Sequence, residues 1–346
     1  MKKKLLSLIV LLSLTTFTGC ASNGTALNSQ SSNKEETATE DVFAMDTYMT
    51  VTAYGKNCQK AVDAAIDEIH RIDDMLSIAN DSSEIAKLNA SGSAFLSEET
   101  AELMARSLEI GESTEGDFNI AVYPVENLWG FYSGEYQVPS DEDLSEAMSL
   151  INLSDISFNE ETREITLEKP GMAVDLGGIA KGYTSKVIMD IFDSYGCSGI
   201  VSLGGNIQAT GTKPDGSSWK IAVRNPLDEN SILGYVDTEG TAVVTSGGYE
   251  RYFESDGKKY HHIIDPATGY PAENGIISSS IVTKDGTLAD ALSTAVFIMG
   301  LDDASEYWRN HSDEFDMIIY TEDDSLYVTS GIADEFVSDY DINIIE

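Results

Sequence analysis

The densest group of residues that could do chemistry in this 346-residue chain is AVDLGGIAKGYT, residues 173–184. Asp175 lies in a short apolar run, Met172–Leu176, that is typical of a buried strand. Gly177-Gly178 then permits a tight turn, after which apolar residues recur at helical spacing. Backbone N–H groups at such a turn can bind a phosphate, and Lys181 adds a mobile cation. The pattern indicates a diphosphate or nucleotide site, and ordinary packing between a strand and a helix is the alternative.

A second group of reactive side chains lies in YHHIIDPATGYP, residues 260–271. His261, His262 and Asp265 are residue types that transfer protons in enzymes. Because side chains alternate along a strand, only one of the two histidines can face a given side of it. The other histidine is therefore expected to be structural.

A third group is a pair of oxygen ligands on the predicted helix Thr287–Gly300. Asp290 and Thr294 are four residues apart, so they lie one above the other on one helix face. Two hard oxygens placed in this way suit Mg²⁺, which takes few protein ligands and completes its shell with water and substrate phosphates. The alternative is that Asp290 caps the first turn while Thr294 bonds back to the backbone.

The elements that must position these groups alternate between helices and strands, which indicates an α+β fold. Further helices are predicted at Asn57–Leu76, Ser82–Asn89, Ser97–Gly111 and Ser140–Leu150. Strands are predicted at Val42–Tyr54, Gly199–Gly211, Trp219–Asn225 and Leu233–Asp237, and hairpins at Ile156–Leu167 and Phe315–Thr329. Near the start of the first strand, a structural turn would also explain Met45-Asp46-Thr47. Gly116–Trp129 is predicted to be a loop that stacks an aromatic ring or covers a core edge.

The amino terminus, MKKKLLSLIVLLSLTTFTGC, combines three lysines, an apolar run and a small-residue end, as secretory signals do. We expect residues 1–19 to be a signal peptide. The ending resembles a bacterial lipobox, which predicts that Cys20 is lipidated and anchors the protein on the extracytoplasmic face of the membrane; simple cleavage near Ala21 is the alternative. Residues 20–41 are expected to be a flexible tether, and residues 42–340 one large catalytic domain.

The charge of the chain limits its partners. The formal net charge is −38, from 21 basic and 59 acidic residues. Such a surface repels nucleic acid and anionic lipid, which argues against DNA or RNA partners, and it could also serve solubility alone. Cys58 and Cys197 lack the spacing of zinc ligands, and they form either one disulfide or two unrelated buried thiols.

Five stretches together resemble one family: VDLGGIAKGY, VSLGGN, TSGGYERYF, HHIIDPATGYP and ADALSTAVFIMG, in that order. They are similar to the ApbE family, the FAD:protein FMN transferases, and the resemblance extends from Met45 to Gly300. It implies a T-fold-related assembly of antiparallel sheet and helices. It also implies a Mg²⁺-dependent enzyme outside the cytoplasmic membrane that splits FAD, releases AMP and attaches FMN to a Thr or Ser hydroxyl of a flavoprotein.

The resemblance also implies the metal site. Mg²⁺ would be bound by the carbonyl oxygen of Gly178 and by the side chains of Asp290 and Thr294, with Ser293 contributing nearby. His262 resembles the family histidine that takes the proton from the acceptor hydroxyl.

The remaining residues implied by the resemblance belong to the FAD site. The residues expected to contact or line FAD are Met45, Asp117, Phe118, Asn119, Asp175, Lys181 and Ile264. Hydrolysis of FAD to FMN and AMP, and storage of FAD by a non-catalytic lipoprotein, are the alternatives to FMN transfer.

Three stretches depart from the family pattern. Phe118-Asn-Ile-Ala121 stands where the family has FDxT, and Gly248 replaces the acid of TSGDYER. Ala79 occupies the place of an aromatic residue after the first helix. These departures concern contacts with the flavin ring and leave the metal and diphosphate positions intact.

Overall fold

The computed structural model describes residues 36–228 and 230–346. The predicted signal peptide, Cys20 and the tether up to residue 35 lie outside the described residues. In chain order the strands are β1 (Thr37–Ala44), β2 (Thr47–Tyr54), β3 (Ser93–Phe95), β4 (Ile156–Asn159), β5 (Glu164–Leu167), β6 (Ser198–Leu203), β7 (Asn206–Thr210), β8 (Trp219–Arg224), β9 (Ile232–Thr238), β10 (Ala242–Gly247), β11 (Tyr252–Ser255), β12 (Lys258–His261), β13 (Ile276–Thr283), β14 (Asp316–Thr321), β15 (Leu326–Thr329), β16 (Phe336–Val337) and β17 (Ile342–Ile345). The α-helices are α1 (Cys58–Leu76), α2 (Glu84–Ser91), α3 (Glu98–Ser113), α4 (Tyr123–Leu128), α5 (Asp141–Met148), α6 (Gly177–Tyr195), α7 (Gly286–Met299) and α8 (Leu301–Asn310).

Nine strands form the main sheet, in the order β1-β2-β6-β7-β10-β13-β14-β15-β17. Neighbouring strands are antiparallel except for β15 and β17, which are parallel. Three small sheets accompany it: β3-β5-β4, β16-β9-β8 and β11-β12. Helices mixed with a mainly antiparallel sheet confirm the predicted α+β class.

The main sheet is covered on both faces. Helices α1, α6 and α7 pack on one face, and the sheet β16-β9-β8 packs on the other. The alternation along β10 shows the division, because Val244 joins the core on the helical side whereas Val243 joins the cluster that contains Trp219. Burial on both sides fixes α6 and α7 against the middle of the sheet.

Five predicted helices agree with the structure. Helices α1, α2, α3, α5 and α7 lie within a few residues of their predicted bounds. Ser83, Ser97 and Ser140 accept hydrogen bonds from the first-turn amides of α2, α3 and α5, as expected of N-cap residues. No helix among the described residues is long and apolar enough to cross a bilayer.

The predicted strand Val42–Tyr54 is wrong, because two strands occupy this region. Met45 and Asp46 have φ angles of 48° and 57° and form the two-residue turn between β1 and β2. The turn contains no glycine, so the sequence pattern offers a turn at these residues only as an alternative. Residues 37–41 lie in β1 and are not part of a tether.

The predicted buried strand at Met172–Leu176 is also wrong. Met172, Val174 and Leu176 are buried, and the segment belongs to none of the sheets. Its backbone is bonded in another way: the Asn89 side chain bonds both the N–H and the carbonyl of Val174, and Asp175 N donates to Ile120 O. A side-chain amide thus takes the place of a neighbouring strand.

Three further boundaries are corrected. Gly116–Trp129, predicted to be a loop, contains a 3-10 helix over Ile120–Val122 followed by α4. Gly199–Gly211, predicted to be one strand, is the hairpin of β6 and β7, which turns at Gly204-Gly205. The domain also extends past residue 340, because β17 pairs with β15. Cys58 and Cys197 are buried in the same apolar cluster.

Candidate active site

A cleft of about 570 Å³ opens beside the start of α6 and the middle of α7. Its other walls come from the β1-β2 and β6-β7 turns, the end of β10, the segment after β12 and residues 117–132. The predicted site residues that line it are Met45, Asp117, Asn119, Asp175, Gly178, Lys181, His262, Ile264, Asp290 and Thr294. Phe118 and Ser293 are buried and do not line it. The fold therefore brings residues from distant parts of the chain to one cleft.

Two glycines let the backbones of α6 and α7 touch where the helices cross. A Cβ atom at Gly182 would lie 2.1 Å from the Gly286 carbonyl oxygen. The crossing brings Asp290 against α6, where its Oδ2 accepts a hydrogen bond of 2.8 Å from Gly182 N. In a regular helix that amide would donate to the carbonyl of Gly178, so the Gly178 oxygen retains capacity for another partner. Glycine inside a helix lowers its stability. A glycine at position 182 of the predicted helix is therefore the sequence feature that indicates close packing here.

Oxygen ligands converge on the α7 side of the cleft. Asp290 is buried, and its Oδ1 lies 3.8 Å from Lys181 Nζ. Thr294 Oγ1 lies 3.3 Å from Ser246 Oγ, which also bonds Ser293 Oγ at 2.8 Å. The Ser293 hydroxyl is thus hydrogen-bonded behind the surface of the cleft.

This set of donors fits Mg²⁺. One carboxylate, a hydroxyl and a helix carbonyl are hard oxygen ligands, and Mg²⁺ is usually bound by few such groups. Among the described residues, no three His, Cys, Asp or Glu side chains form a cluster that could hold a metal ion. A cation bound here would therefore take its remaining ligands from water and from the substrate.

The start of α6 presents positive charge to the cleft. Asp175 Oδ1 accepts a hydrogen bond of 2.9 Å from Gly177 N and so satisfies one helix amide. Lys181 Nζ donates to Gly177 O at 3.2 Å and also approaches Asp290. Gly177 and Gly178 are exposed. The amides of this first turn and the Lys181 ammonium can together attract an anion.

Tyr132 and Glu126 are cleft residues that the sequence patterns do not indicate. The Tyr132 hydroxyl contacts the Asp175 carboxylate and lies 3.1 Å from Glu126 Oε2. Burial, together with the nearby Asp175 charge, raises the pKa of Glu126 to about 8, although the hydrogen bond from Tyr132 and the Arg251 charge oppose the shift. Burial also raises the pKa of Asp175, although hydrogen bonds from Tyr132 and Gly177 oppose this.

One phenol hydroxyl cannot donate to two carboxylates. Tyr132 has a single O–H proton, and both Asp175 and Glu126 contact its oxygen. The contacts are satisfied when Tyr132 donates to Asp175 and a protonated Glu126 donates to Tyr132. The raised pKa of Glu126 agrees with this arrangement.

The two neighbouring histidines have different environments. His261 Nε2 bonds the Ala272 carbonyl at 3.0 Å, its Nδ1 accepts from Ile263 N at 3.3 Å, and its ring packs edge-on against Phe297. Both of its ring nitrogens are therefore engaged. His262 lines the cleft, and only its Nδ1 is bonded among the described residues, to the Arg251 carbonyl at 3.1 Å.

The His262 ring is neutral at physiological pH. A carbonyl oxygen only accepts, so Nδ1 carries the proton in the bond to Arg251 and Nε2 retains its lone pair. Burial lowers the pKa of His262 to about 4, and the bond to the Arg251 carbonyl opposes this shift only in part. His262 Nε2 is the basic atom that this part of the cleft offers.

The 117–119 segment contributes two side chains to the cleft. Burial raises the pKa of Asp117 to about 6, with a further contribution from Asp265. Asn119 accepts from Ala121 N at 2.8 Å and donates to Ile151 O at 2.9 Å, so it also fixes the backbone. Phe118 packs beneath the start of α6, where its Cε2 lies 3.4 Å from the position of a Cβ atom at Gly178.

Met45 and Ile264 complete the set. Met45 N donates to Asp73 Oδ2 at 3.1 Å, which holds the β1-β2 turn over the end of α1. Ile264 is buried and bridges to Pro271. Asp265 accepts hydrogen bonds from Ala267 N and the Thr268 hydroxyl, so it stabilises a turn.

Comparison with known proteins identifies the family. The model of the ApbE family matches residues 45–319. The chain belongs to the ApbE family. Among curated relatives, the FAD:protein FMN transferase of Treponema pallidum is 32% identical over 314 residues, which is 84% of this chain and 86% of that protein. The FAD:protein FMN transferase of Vibrio cholerae is 30% identical over 293 residues, covering 83% of this chain and 86% of that protein.

Solved ApbE structures have the same fold as this ApbE chain. The ApbE protein of Thermotoga maritima superposes with a TM-score of 0.82 at 30% identity and covers 88% of this chain and 100% of its own. The flavin transferase ApbE from Vibrio cholerae gives a TM-score of 0.79 at 26% identity, with coverage of 88% and 100%.

One departure from the ApbE pattern has a structural account. A Cβ atom at Gly248 would lie 2.6 Å from Cδ2 of His261. The His261 ring therefore fills the space that a larger residue at position 248 would need. Ala79 also lines the cleft, where it leaves more room than an aromatic side chain would.

Proposed function

We propose that this protein transfers FMN from FAD to a Thr or Ser hydroxyl of an acceptor flavoprotein and releases AMP. The observation that carries the proposal is the cleft itself. It combines a positively charged helix start, a set of hard oxygen ligands and a neutral histidine, and all of these are built by residues that the family resemblance selects.

The proton of the acceptor hydroxyl would pass to His262. As the acceptor oxygen forms a bond to the FMN phosphorus, the bond from that phosphorus to the oxygen of AMP breaks, and AMP leaves. His262 Nε2 receives the hydroxyl proton, while the Nδ1 bond to the Arg251 carbonyl fixes the ring. Because its pKa is about 4, the histidine begins each cycle in the neutral form.

The diphosphate of FAD would be bound between α6 and α7. The Lys181 ammonium and the amides at the start of α6 would hold its oxygens. Asp290, Thr294 and the Gly178 carbonyl would hold Mg²⁺, which when bound neutralises phosphate charge. Ser293 would support this site from inside the wall, since its hydroxyl bonds Ser246 and the Asp290 carbonyl.

We further propose that the protein works on the extracytoplasmic face of the membrane. The signal-like amino terminus and the lipobox-like ending at Cys20 support this location. The acidic chain would gain little from anionic lipid, so attachment would rest on the lipid group. The acceptor would then be an extracytoplasmic flavoprotein.

An acceptor assay tests the proposed reaction. The protein is incubated with FAD, Mg²⁺ and several candidate extracytoplasmic acceptors, and the acceptors are analysed by mass spectrometry. We expect an FMN mass increment on a Thr or Ser of an acceptor, together with an equal amount of AMP. AMP release that is equally fast without an acceptor would instead identify a hydrolase, and tight FAD binding without turnover would identify a binding protein.

A further inference from the structure

Asn206 is a buried hydrogen-bond donor at the cleft. It starts β7 after the Gly204-Gly205 turn, is 3% exposed and lines the cleft. Its Nδ2 atom has no hydrogen-bond partner among the described residues. A buried donor without a partner costs stability, and native structures contain few of them. The Asn206 amide can therefore donate a hydrogen bond to an acceptor that comes from outside the described protein atoms.

Gln208, two residues further along β7, is a satisfied counterpart. Alternate residues of a strand share a face, so Gln208 and Asn206 point to the same side of the sheet. Gln208 Oε1 accepts from Ser185 Oγ at 2.7 Å, and its Nε2 donates to Lys284 O at 3.3 Å. Through Ser185, this face of β7 packs against α6.

The contact between Gln208 and Ser185 fixes which part of α6 faces Asn206. Two strand residues span about 6.6 Å. One helical turn spans about 5.4 Å. Moving two residues along β7, from Gln208 to Asn206, therefore covers about the same distance as moving one turn along α6, from Ser185 to Lys181. Asn206 and Lys181 both line the cleft. By this spacing, Asn206 lies near the turn of α6 that carries Lys181.

We propose that the Asn206 amide donates a hydrogen bond to a phosphate oxygen of bound FAD, beside Lys181. The inference rests on the proposed function, since it assigns a residue to the substrate of that reaction. Phosphate oxygens are acceptors, and the neighbouring cation and helix amides attract them to this end of the cleft. The β10 side of the same wall offers Ser246, which is already bonded to Ser293 and Thr294.

The test compares Asn206→Ala and Asn206→Asp with the matched control Gln208→Ala. Binding of FAD and of riboflavin, which has no phosphate, is measured for each protein together with its Tm. We expect Asn206→Ala to weaken FAD binding about tenfold. Asn206→Asp should weaken FAD binding further, because it adds a negative charge. The Tm of Asn206→Ala should be unchanged or raised, since the change removes an unsatisfied donor.

The control separates binding from folding. Gln208→Ala should lower the Tm, because it removes the buried hydrogen bonds to the Ser185 hydroxyl and to the Lys284 carbonyl, and it should change FAD affinity little. The inference is wrong if Asn206→Ala binds FAD as the unchanged protein does, or if riboflavin binding weakens equally. Failure of the unchanged protein to bind FAD would instead overturn the proposed function.

Discussion

The two sides of the cleft are built in different ways. The helical wall, formed by Gly178, Lys181, Asp290 and Thr294, lies on α6 and α7, whose backbones touch at Gly182. The loop wall is formed by Asp117, Glu126, Tyr132, Arg251 and His262. It lies on α4, on the loops before and after α4, and on the segments that flank β11 and β12. The first wall is fixed by helix packing, whereas the second is held by side-chain hydrogen bonds.

The two walls also differ in how well they match the family pattern. The helical wall keeps every residue that the family resemblance assigns to the metal and the diphosphate. The departures Asn119, Ala121 and Gly248 lie in or beside the loop wall, and Ala79 lines another part of the cleft. Close packing of two helices tolerates little change, because one added methyl group at Gly182 would displace Asp290, a proposed metal ligand. Loop segments can change one contact at a time, which agrees with the departures found in the loop wall.

The largest expected effect falls on the loop wall, at His262. His262→Ala should lower kcat for FMN transfer by about 10²- to 10⁴-fold, because the base that takes the hydroxyl proton is lost. In the unchanged enzyme, kcat should fall as the pH drops through about 4, since protonation removes the Nε2 lone pair. Steady-state kinetics across pH measures both effects.

His261 provides the control for His262. His261→Asn removes a ring whose two nitrogens are already bonded, so it should reduce the Tm more than it reduces kcat. Equal losses of kcat in the two variants would contradict the assignment of the base to His262.

On the helical wall, Asp290→Ala should reduce Mg²⁺-dependent turnover by at least about 100-fold. The carboxylate is the only charged member of the proposed metal ligands, and its Oδ2 also bonds Gly182 N. Initial rates measured against Mg²⁺ concentration test this. Ser293→Ala should cost much less, because Ser293 is buried behind the ligands. A fully active Asp290→Ala protein would rule out this metal site.

Gly182→Ala tests whether helix packing fixes the helical wall. The added Cβ atom would lie 2.1 Å from Gly286 O and 2.5 Å from Asp290 Cβ. We expect a loss of about 1–3 kcal/mol in the free energy of unfolding, together with weaker Mg²⁺ dependence. Chemical denaturation and kinetics are the measurements. Gly240→Ala, where the nearest atom would be 3.9 Å away, should leave both unchanged; equal effects at the two glycines would refute the packing argument.

Local periodicity allowed much of the helical wall to be predicted from the sequence. The spacing of Asp290 and Thr294 on a helix depends only on 3.6 residues per turn, and the structure contains that helix as α7. The first helix turn after Gly178 follows in the same way. The crossing of α6 and α7 did not follow, because it depends on which face of each helix packs on the sheet.

The loop wall was less predictable because its contacts are distant in sequence and polar. Tyr132 and Asp175 are bonded across 43 residues, and no periodic pattern connects them. The β1-β2 turn could be predicted only as an alternative, because Met45 and Asp46 adopt positive φ without glycine. Asn89 replaces a strand partner for Val174, which explains the missing strand. Side-chain hydrogen bonds of this kind leave no repeat in the sequence.

The smallest effect on activity is expected for Glu126→Gln, which tests the protonated state of the loop wall. An amide N–H can donate to Tyr132 as the neutral acid does, so activity at pH 7 should stay within about threefold of the unchanged protein. Stability should respond to pH. Between its ordinary pKa of 4.5 and about 8, Glu126 keeps its proton in the fold and loses it in the unfolded chain. Rising pH therefore favours unfolding over this window.

Glutamine has no proton to lose, so Glu126→Gln should gain stability relative to the unchanged protein as the pH rises from 5 to 8. Thermal denaturation of both proteins at several pH values measures the difference in Tm, and the contribution of Asp117 cancels because both proteins contain it. A difference in Tm that is constant across this range would mean that Glu126 is ionised in the fold. Tyr132 would then have one proton to donate to two carboxylates. The negative charge of the loop wall would need a nearby cation, such as Arg251, to balance it.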